Sequence, residues 1–179
     1  IDSIDTLISI WKSNLLVMNK PLILGGGSNM LFLKDYHGIV LKNNLFGRSI
    51  IEETEEHAVV EFGAGENWHQ VVLWCVEKGF CGVENLSLIP GTIGAAPIQN
   101  IGAYGVELVN VFQSLKAFDL LEGKLVEFNK EQCDFGYRDS VFKKAYKGRF
   151  FIVSVTLKLA KKAQLKMEYG DIKTVLEKQ

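Results

Sequence analysis

The sequence predicts an α+β fold in two parts: a small lobe where helix and strand alternate, then a larger lobe built mostly of strands. Three observations carry that expectation. Helical periodicity is confined to residues 3–18, the stretch after Asn67 and a short segment at 171–178. Strand-like runs crowd the chain after residue 48. Glycine-rich turns separate the elements, and neither an internal repeat nor a low-complexity linker occurs. A soft boundary near residues 43–50 gives lobes of residues 1–48 and 49–179. A chain of 179 residues suffices for one sizeable core or two small lobes sharing an interface.

Each element has its own signal. Ile4, Leu7, Ile8, Trp11 and Leu15 recur at helical spacing, predicting one amphipathic helix over 3–18. Pro21 follows, and Leu22-Ile23-Leu24 reads as a short buried strand running into Gly25. Leu31-Phe32-Leu33 and residues 38–42 suggest two further strands. Residues 49–54 and 58–62 read as strands around a polar turn at Glu55-Glu56. Asn67 is a suitable N-cap for a second helix, whose apolar stripe is Trp68, Val71, Val72, Cys75 and Val76 and whose terminator is Gly79. Residues 111–120 and 124–128 form a hairpin pattern around Glu122-Gly123, residues 150–159 a long strand, and residues 171–178 a terminal helix.

Composition narrows the classes. An apolar content of 47% with 23% charged residues is that of a soluble globular chain. A formal net charge of −1 with interspersed signs lacks the basic surface of a non-specific nucleic-acid binder. No apolar run spans a bilayer, and no signal peptide or lipidation motif is visible, so neither a nucleic acid nor a membrane is expected as partner. Cys75, Cys81 and Cys133 cannot all pair within the chain, and no Cys/His ligand spacing occurs. Reduced thiols in a cytoplasmic protein without a metal site are therefore expected. The chain opens on Ile1 rather than Met, so an N-terminal piece is expected to be absent.

The chemistry lies in the glycine turns. Gly-Gly-Gly-Ser-Asn stands at residues 25–29, Pro-Gly-Thr-Ile-Gly-Ala-Ala-Pro-Ile-Gln-Asn-Ile-Gly-Ala-Tyr-Gly at 90–105, and Gly-Tyr-Arg-Asp-Ser at 136–140. Small residues let a backbone approach a large ligand, and successive N–H groups form a concave nest for an anion such as a pyrophosphate. Two such segments point to a dinucleotide-like cofactor held by backbone. The known phosphate fingerprints fail: Met30 occupies the third position that a Rossmann turn starting at Gly25 would need, and no Gly-Lys-Ser/Thr occurs. Glycines that merely make tight turns remain an alternative at this point.

Taken in order, Pro-Leu-Ile-Leu-Gly-Gly-Gly-Ser-Asn at 21–29, Gly-Ala-Gly-Glu-Asn-Trp at 63–68, the 90–105 segment and Gly-Tyr-Arg-Asp-Ser resemble the UDP-N-acetylenolpyruvoylglucosamine reductase (MurB) family, flavoproteins of bacterial peptidoglycan precursor synthesis. The resemblance covers nearly the whole chain, and Glu-Tyr-Gly-Asp at 168–171 is similar to the branch with an extra Tyr loop. It implies the FAD-binding fold shared with vanillyl-alcohol oxidase and p-cresol methylhydroxylase. It also implies non-covalent FAD as cofactor, NADPH as co-substrate and a UDP-sugar enolpyruvyl ether as substrate.

The resemblance also implies roles. Gly25, Gly26, Gly27, Ser28 and Asn29 would run beside the FAD pyrophosphate, with residues 63–66 either a further contact or a plain strand-to-helix turn. Pro90, Gly91 and Gly94 would shape a loop against the cofactor, approached also by Ile98, Ile101, Gly102, Ala103 and Ile152. Ala95-Ala96 stands where serines are common in the family. Arg138 would stabilise enolate-like charge on the substrate, and Tyr137 would position it. A surface pair of Arg138 with Asp139 is the plainer alternative. Tyr169 would cover substrate.

The family further implies an opening strand before Ile1 and a C-terminal substrate-binding domain that would follow Gln179 and supply a proton-donating serine and a glutamate. The expectation is that these residues are the FAD-binding fragment of a longer reductase and do not turn over alone. Two alternatives stay open: another flavin oxidase or dehydrogenase of the same fold, and a folded fragment without activity. Covalent flavin attachment has no supporting pattern around His37 or Cys133. The oligomeric state is left open.

Overall fold

The computed structural model describes residues 1–19 and 21–162. Helix α1 (Ile4–Lys12) starts at Ser3, whose hydroxyl accepts the Thr6 N–H at 3.1 Å, and it buries Leu7 completely. The single helix predicted over 3–18 is instead two. The Ser13 hydroxyl bonds back to the Ile10 carbonyl at 2.6 Å, and Asn14 adopts a left-handed φ of 57° before α2 (Leu15–Met18). Both residue types compete with the helix for its own backbone groups, which the apolar periodicity cannot register.

Strand β1 (Pro21–Leu24) pairs in parallel with β2 (Ile39–Lys42). The strand expected at Leu31-Phe32-Leu33 does not form. The run lays no apolar face against a core: Leu31 and Leu33 stand more than four-fifths exposed, at 83% and 87%, and Phe32 is half exposed.

The main sheet has five strands in the order β3-β4-β9-β7-β8, all antiparallel: β3 (Arg48–Glu53), β4 (His57–Gly63), β7 (Phe112–Asp119), β8 (Lys124–Asn129) and β9 (Phe150–Ala160). A separate short pair comprises β5 (Gly102–Ala103) and β6 (Val106–Glu107). Alternation along central β9 divides the core. Phe150 and Ile152 face the cluster shared with α3 (Trp68–Glu77), while Phe151 and Val153 join Leu7, Leu41 and Phe118 beneath α1.

The Asn67 side chain caps α3 by accepting the Gln70 N–H at 3.1 Å, and Gly79 follows its end. Trp68, Val71, Val72 and Cys75 are buried as expected, but Val76 is half exposed because its position falls outside the arc that those four define. The hairpin of β7 and β8 turns at Gly123. Asn43, only 5% exposed, ties the first strands to the main sheet: its N–H donates to Leu24 at 2.9 Å and its side-chain amide to Ile152 at 2.8 Å. The terminal helix expected at 171–178 lies outside the described residues.

Candidate functional site

The end of β1 delivers residues 25–29 against the loop at 90–95. A Cβ on Gly26 would lie 3.2 Å from the Gly91 Cα, and one on Gly25 2.7 Å from the Thr92 hydroxyl. Gly91 sits at φ +124°, a conformation reserved for glycine. The second loop is pinned from behind. Trp68 N–H donates to the Gly91 carbonyl at 3.1 Å, Ile93 N–H to Glu66 at 2.9 Å and Gly94 N–H to Ala64 at 3.0 Å. The indole N–H of Trp68 holds the Leu86 carbonyl at 2.7 Å. Gly63 and Gly65 pack on the backbone of Asn44 and Leu45, so the turn at 63–66 serves as the strand-to-helix connection and lines none of the clefts described here.

The backbone N–H groups of Gly26, Gly27, Ser28 and Asn29 meet no protein acceptor among the described residues. They border a cleft of about 240 Å³ that Pro90, Gly91, Ile98 and Ile101 also line. A second cleft, about 290 Å³, shares Ile23, Gly25, Thr92, Ala95 and Ile98 with the first and extends to Gly94, Ile152, Tyr146 and Phe150. A third, about 390 Å³, is lined by Gly102, Ala103, Tyr137, Arg138 and Glu107, directly after Ile101 in the chain. The predicted residues thus fall in three neighbouring clefts. Tyr169 lies outside the described residues.

Two buried polar residues fix the third cleft. Asn100, 1% exposed and at φ +41°, donates from its side-chain amide to the Gly136 carbonyl at 3.0 Å and to Glu107 at 3.2 Å. Its side-chain oxygen accepts the Val109 N–H at 3.1 Å. The fully buried Ser140 hydroxyl donates to the Ile98 carbonyl at 2.7 Å. The Arg138 guanidinium donates to the Gly102 carbonyl, and the Arg138 carbonyl accepts the Lys143 ammonium at 2.8 Å. Asp139 pairs with Lys144 at 2.5 Å, so the surface pair of Arg138 with Asp139 does not form. Tyr137 projects freely, 86% exposed.

Sequence reasoning passed over Thr92, Asn100 and Ser140, although all three stood inside the motif strings. The available signal was polarity: each is a hydrogen-bonding residue amid small and apolar neighbours, where burial demands a partner. Other chemistries find little support. Burial pushes the Cys75 and Cys133 thiols up to about 12, far from a reactive thiolate. No group of three His, Cys, Asp or Glu capable of holding a metal occurs among the described residues.

The arrangement suits an extended ligand with a doubly anionic centre. The unpaired N–H groups at 26–29 are donors suited to an anion, and apolar residues line the clefts that adjoin them. Such a site defines a protein of the dinucleotide-cofactor class. Within it, the chain belongs to the FAD binding domain family, whose pattern it matches over residues 2–129. Its cofactor is accordingly FAD, and the glycine cradle fits that molecule's pyrophosphate.

The chain is 53% identical over 155 residues to the UDP-N-acetylenolpyruvoylglucosamine reductase of Amoebophilus asiaticus, covering 87% of this chain and 46% of that protein. It is 52% identical over 151 residues to the enzyme of the same name from Burkholderia mallei, covering 84% and 44%. The chain therefore spans about half the length of the curated relatives it matches. Among solved structures, the MurB of Thermus caldophilus aligns with a TM-score of 0.69 at 22% identity, covering 100% of this chain and 62% of that one. A solvent-stable cholesterol oxidase aligns at 0.63 and 19%, covering 90% and 34%. These likenesses show the fold, which together with the FAD binding domain match is consistent with the fold of the vanillyl-alcohol oxidase and p-cresol methylhydroxylase type.

Proposed function

We propose that this chain is the FAD-binding portion of a flavin- and NADPH-dependent reductase that converts UDP-N-acetylglucosamine enolpyruvate to UDP-N-acetylmuramate, a cytoplasmic step of peptidoglycan precursor synthesis. The observation that carries the reading is the succession of the glycine cradle, the Ile98 and Ile101 wall and the Tyr137-Arg138 cleft. A dinucleotide whose pyrophosphate sits in the cradle extends one arm toward that cleft. We read residues 1–48 and 49–179 as the two lobes of this cofactor-binding unit.

Bound FAD supplies the hydride route between NADPH and the vinyl carbon of the substrate. This chain's residues do the rest of their work by position. Backbone N–H groups at 26–29 would hold the pyrophosphate, with the Lys42 ammonium, which donates to the Gly25 carbonyl, as a positive charge beside them. Ile98, Ile101 and Ile152 exclude water from the cofactor. Hydride arrival at one vinyl carbon leaves charge on the other and on its carboxylate. Arg138 stabilises that charge with a fixed guanidinium, because the Gly102 carbonyl and the Asn100 and Ser140 clamps hold its loop still. Exposed Tyr137 meets the substrate at the cleft mouth. Tyr169 covers it.

The test uses the chain alone and the chain fused to the C-terminal half of the Amoebophilus asiaticus relative. FAD bound by both, with muramate product from NADPH and the enolpyruvyl ether only in the fusion, is the expected result. Flavin binding with no product from either would refute the substrate assignment. Product from the chain alone would refute its role as a cofactor-binding portion.

A further inference from the structure

Thr92 stands at the junction of the first two clefts and is shared by both. It is only 7% exposed, yet its hydroxyl makes no hydrogen bond to protein among the described residues. Every fully enclosed side-chain oxygen and nitrogen among those residues does find a partner, so the Thr92 hydroxyl keeps some accessible surface, on a residue that lines both clefts. A polar group so enclosed loses most of its water and is costly to leave unmatched.

Its surroundings say what it faces. The hydroxyl lies opposite Gly25, where a Cβ would come within 2.7 Å of it, and Gly25 leads directly into the unpaired N–H groups of Gly26 and Gly27. The Thr92 backbone N–H also lacks a protein acceptor, while the carbonyls on either side of it along the chain edge are engaged by Trp68 and Ala95 N–H groups. The side chain is held in place because its own loop is tied to residues 64–68. The middle of an extended dinucleotide is its pyrophosphate, and the middle of this groove is Thr92.

We infer that Thr92 is a cofactor-positioning residue whose hydroxyl donates a hydrogen bond to a pyrophosphate oxygen of FAD, closing the cradle from the side opposite the glycine turn. This rests on the FAD reading above. A hydrogen bond to a charged oxygen is stronger than a neutral one, so its loss weakens FAD binding roughly tenfold or more.

The experiment measures FAD affinity by flavin fluorescence for the purified chain and for T92V and T92S, with the ³¹P spectrum of each bound cofactor. Unfolding midpoints without FAD check that the variants fold, and T92A replaces T92V if the valine variant does not. Expected are an affinity loss of about tenfold or more in T92V, near-native binding in T92S, and pyrophosphate resonances displaced only in T92V. Failure of the unsubstituted chain to bind FAD would overturn the FAD reading and this inference together. Native-like binding by T92V would overturn the role of Thr92 alone. Equal losses in T92V and T92S, or unshifted pyrophosphate resonances in T92V, would overturn the assigned hydrogen bond.

Discussion

Gly26 and Gly91 meet backbone against backbone: a side-chain carbon on the first would stand 3.2 Å from the Cα of the second. That proximity narrows the cradle to polypeptide and leaves no room for side chains between its walls. It also makes Gly91 sensitive in its own right, because its φ of +124° strains any other residue. Gly91→Ala is expected to lower stability by about 1–3 kcal/mol and to weaken FAD binding beyond that loss. Urea unfolding alongside a flavin titration separates the two effects, and an unchanged midpoint would mean the loop relaxes without cost.

Asn100 joins three segments through one side chain, at Gly136, Glu107 and Val109. Asn100→Ala removes the amide bonds to Gly136 and Glu107 and leaves the half-buried Val109 N–H without its acceptor, for a loss of about 1–2 kcal/mol. Because the 136–140 loop carries Arg138, amide exchange in that loop should accelerate in the variant while the central β9 stays protected. Uniform acceleration across the chain would point to global destabilisation instead.

Asp119 lies beneath Arg149 in a nearly closed pair at 2.5 Å. Burial pushes its carboxyl up, but the Arg149 guanidinium and the Leu121 and Glu122 N–H groups outweigh burial and hold it below the usual carboxylate range. With the folded value depressed, the pair's stabilisation is full above the unfolded value, about pH 4, and disappears as pH falls through the folded one. Asp119→Asn should cost about 1–2 kcal/mol at neutral pH, since Arg149 is partly exposed and keeps Glu122, with the gap from wild type closing in acid. A gap that stays constant to low pH would contradict this linkage.

The thiols offer a separate check on packing. Cys75 and Cys133 are fully buried with thiols near 12, and Cys81 is partly exposed with its thiol raised by burial and by Glu84. Alkylation of the native chain at mildly alkaline pH is expected to label Cys81 slowly and the other two only after unfolding. Rapid labelling of Cys75 would contradict the α3 packing.

Much of this was legible in advance, for identifiable reasons. A period-3.6 stripe marks burial on one face and a continuous β-rich run burial on both, so α3, the β7–β8 hairpin and β9 could be read from the sequence. Leu31-Phe32-Leu33 misled because an apolar triplet says nothing about whether the fold gives it a core to pack on, and all three side chains stand exposed. The break at Ser13-Asn14 came from side-chain competition for backbone bonds, a local effect hidden beneath a continuing apolar stripe. At the site, the glycines were visible because few other residues fit them. Asn100 and Ser140 were not, since their value depends on which distant carbonyls and N–H groups the fold brings beside them, and Thr92 was not, since only the fold sets it where two clefts meet.

The central claim is that paired glycine backbones hold FAD. Titrating the purified chain with FAD, beside Gly26→Val, tests it most directly. The account predicts saturable one-to-one binding by the chain and its loss in the variant, with both proteins folded. A folded chain that leaves FAD free, or a Gly26→Val variant that binds it as tightly, would contradict it.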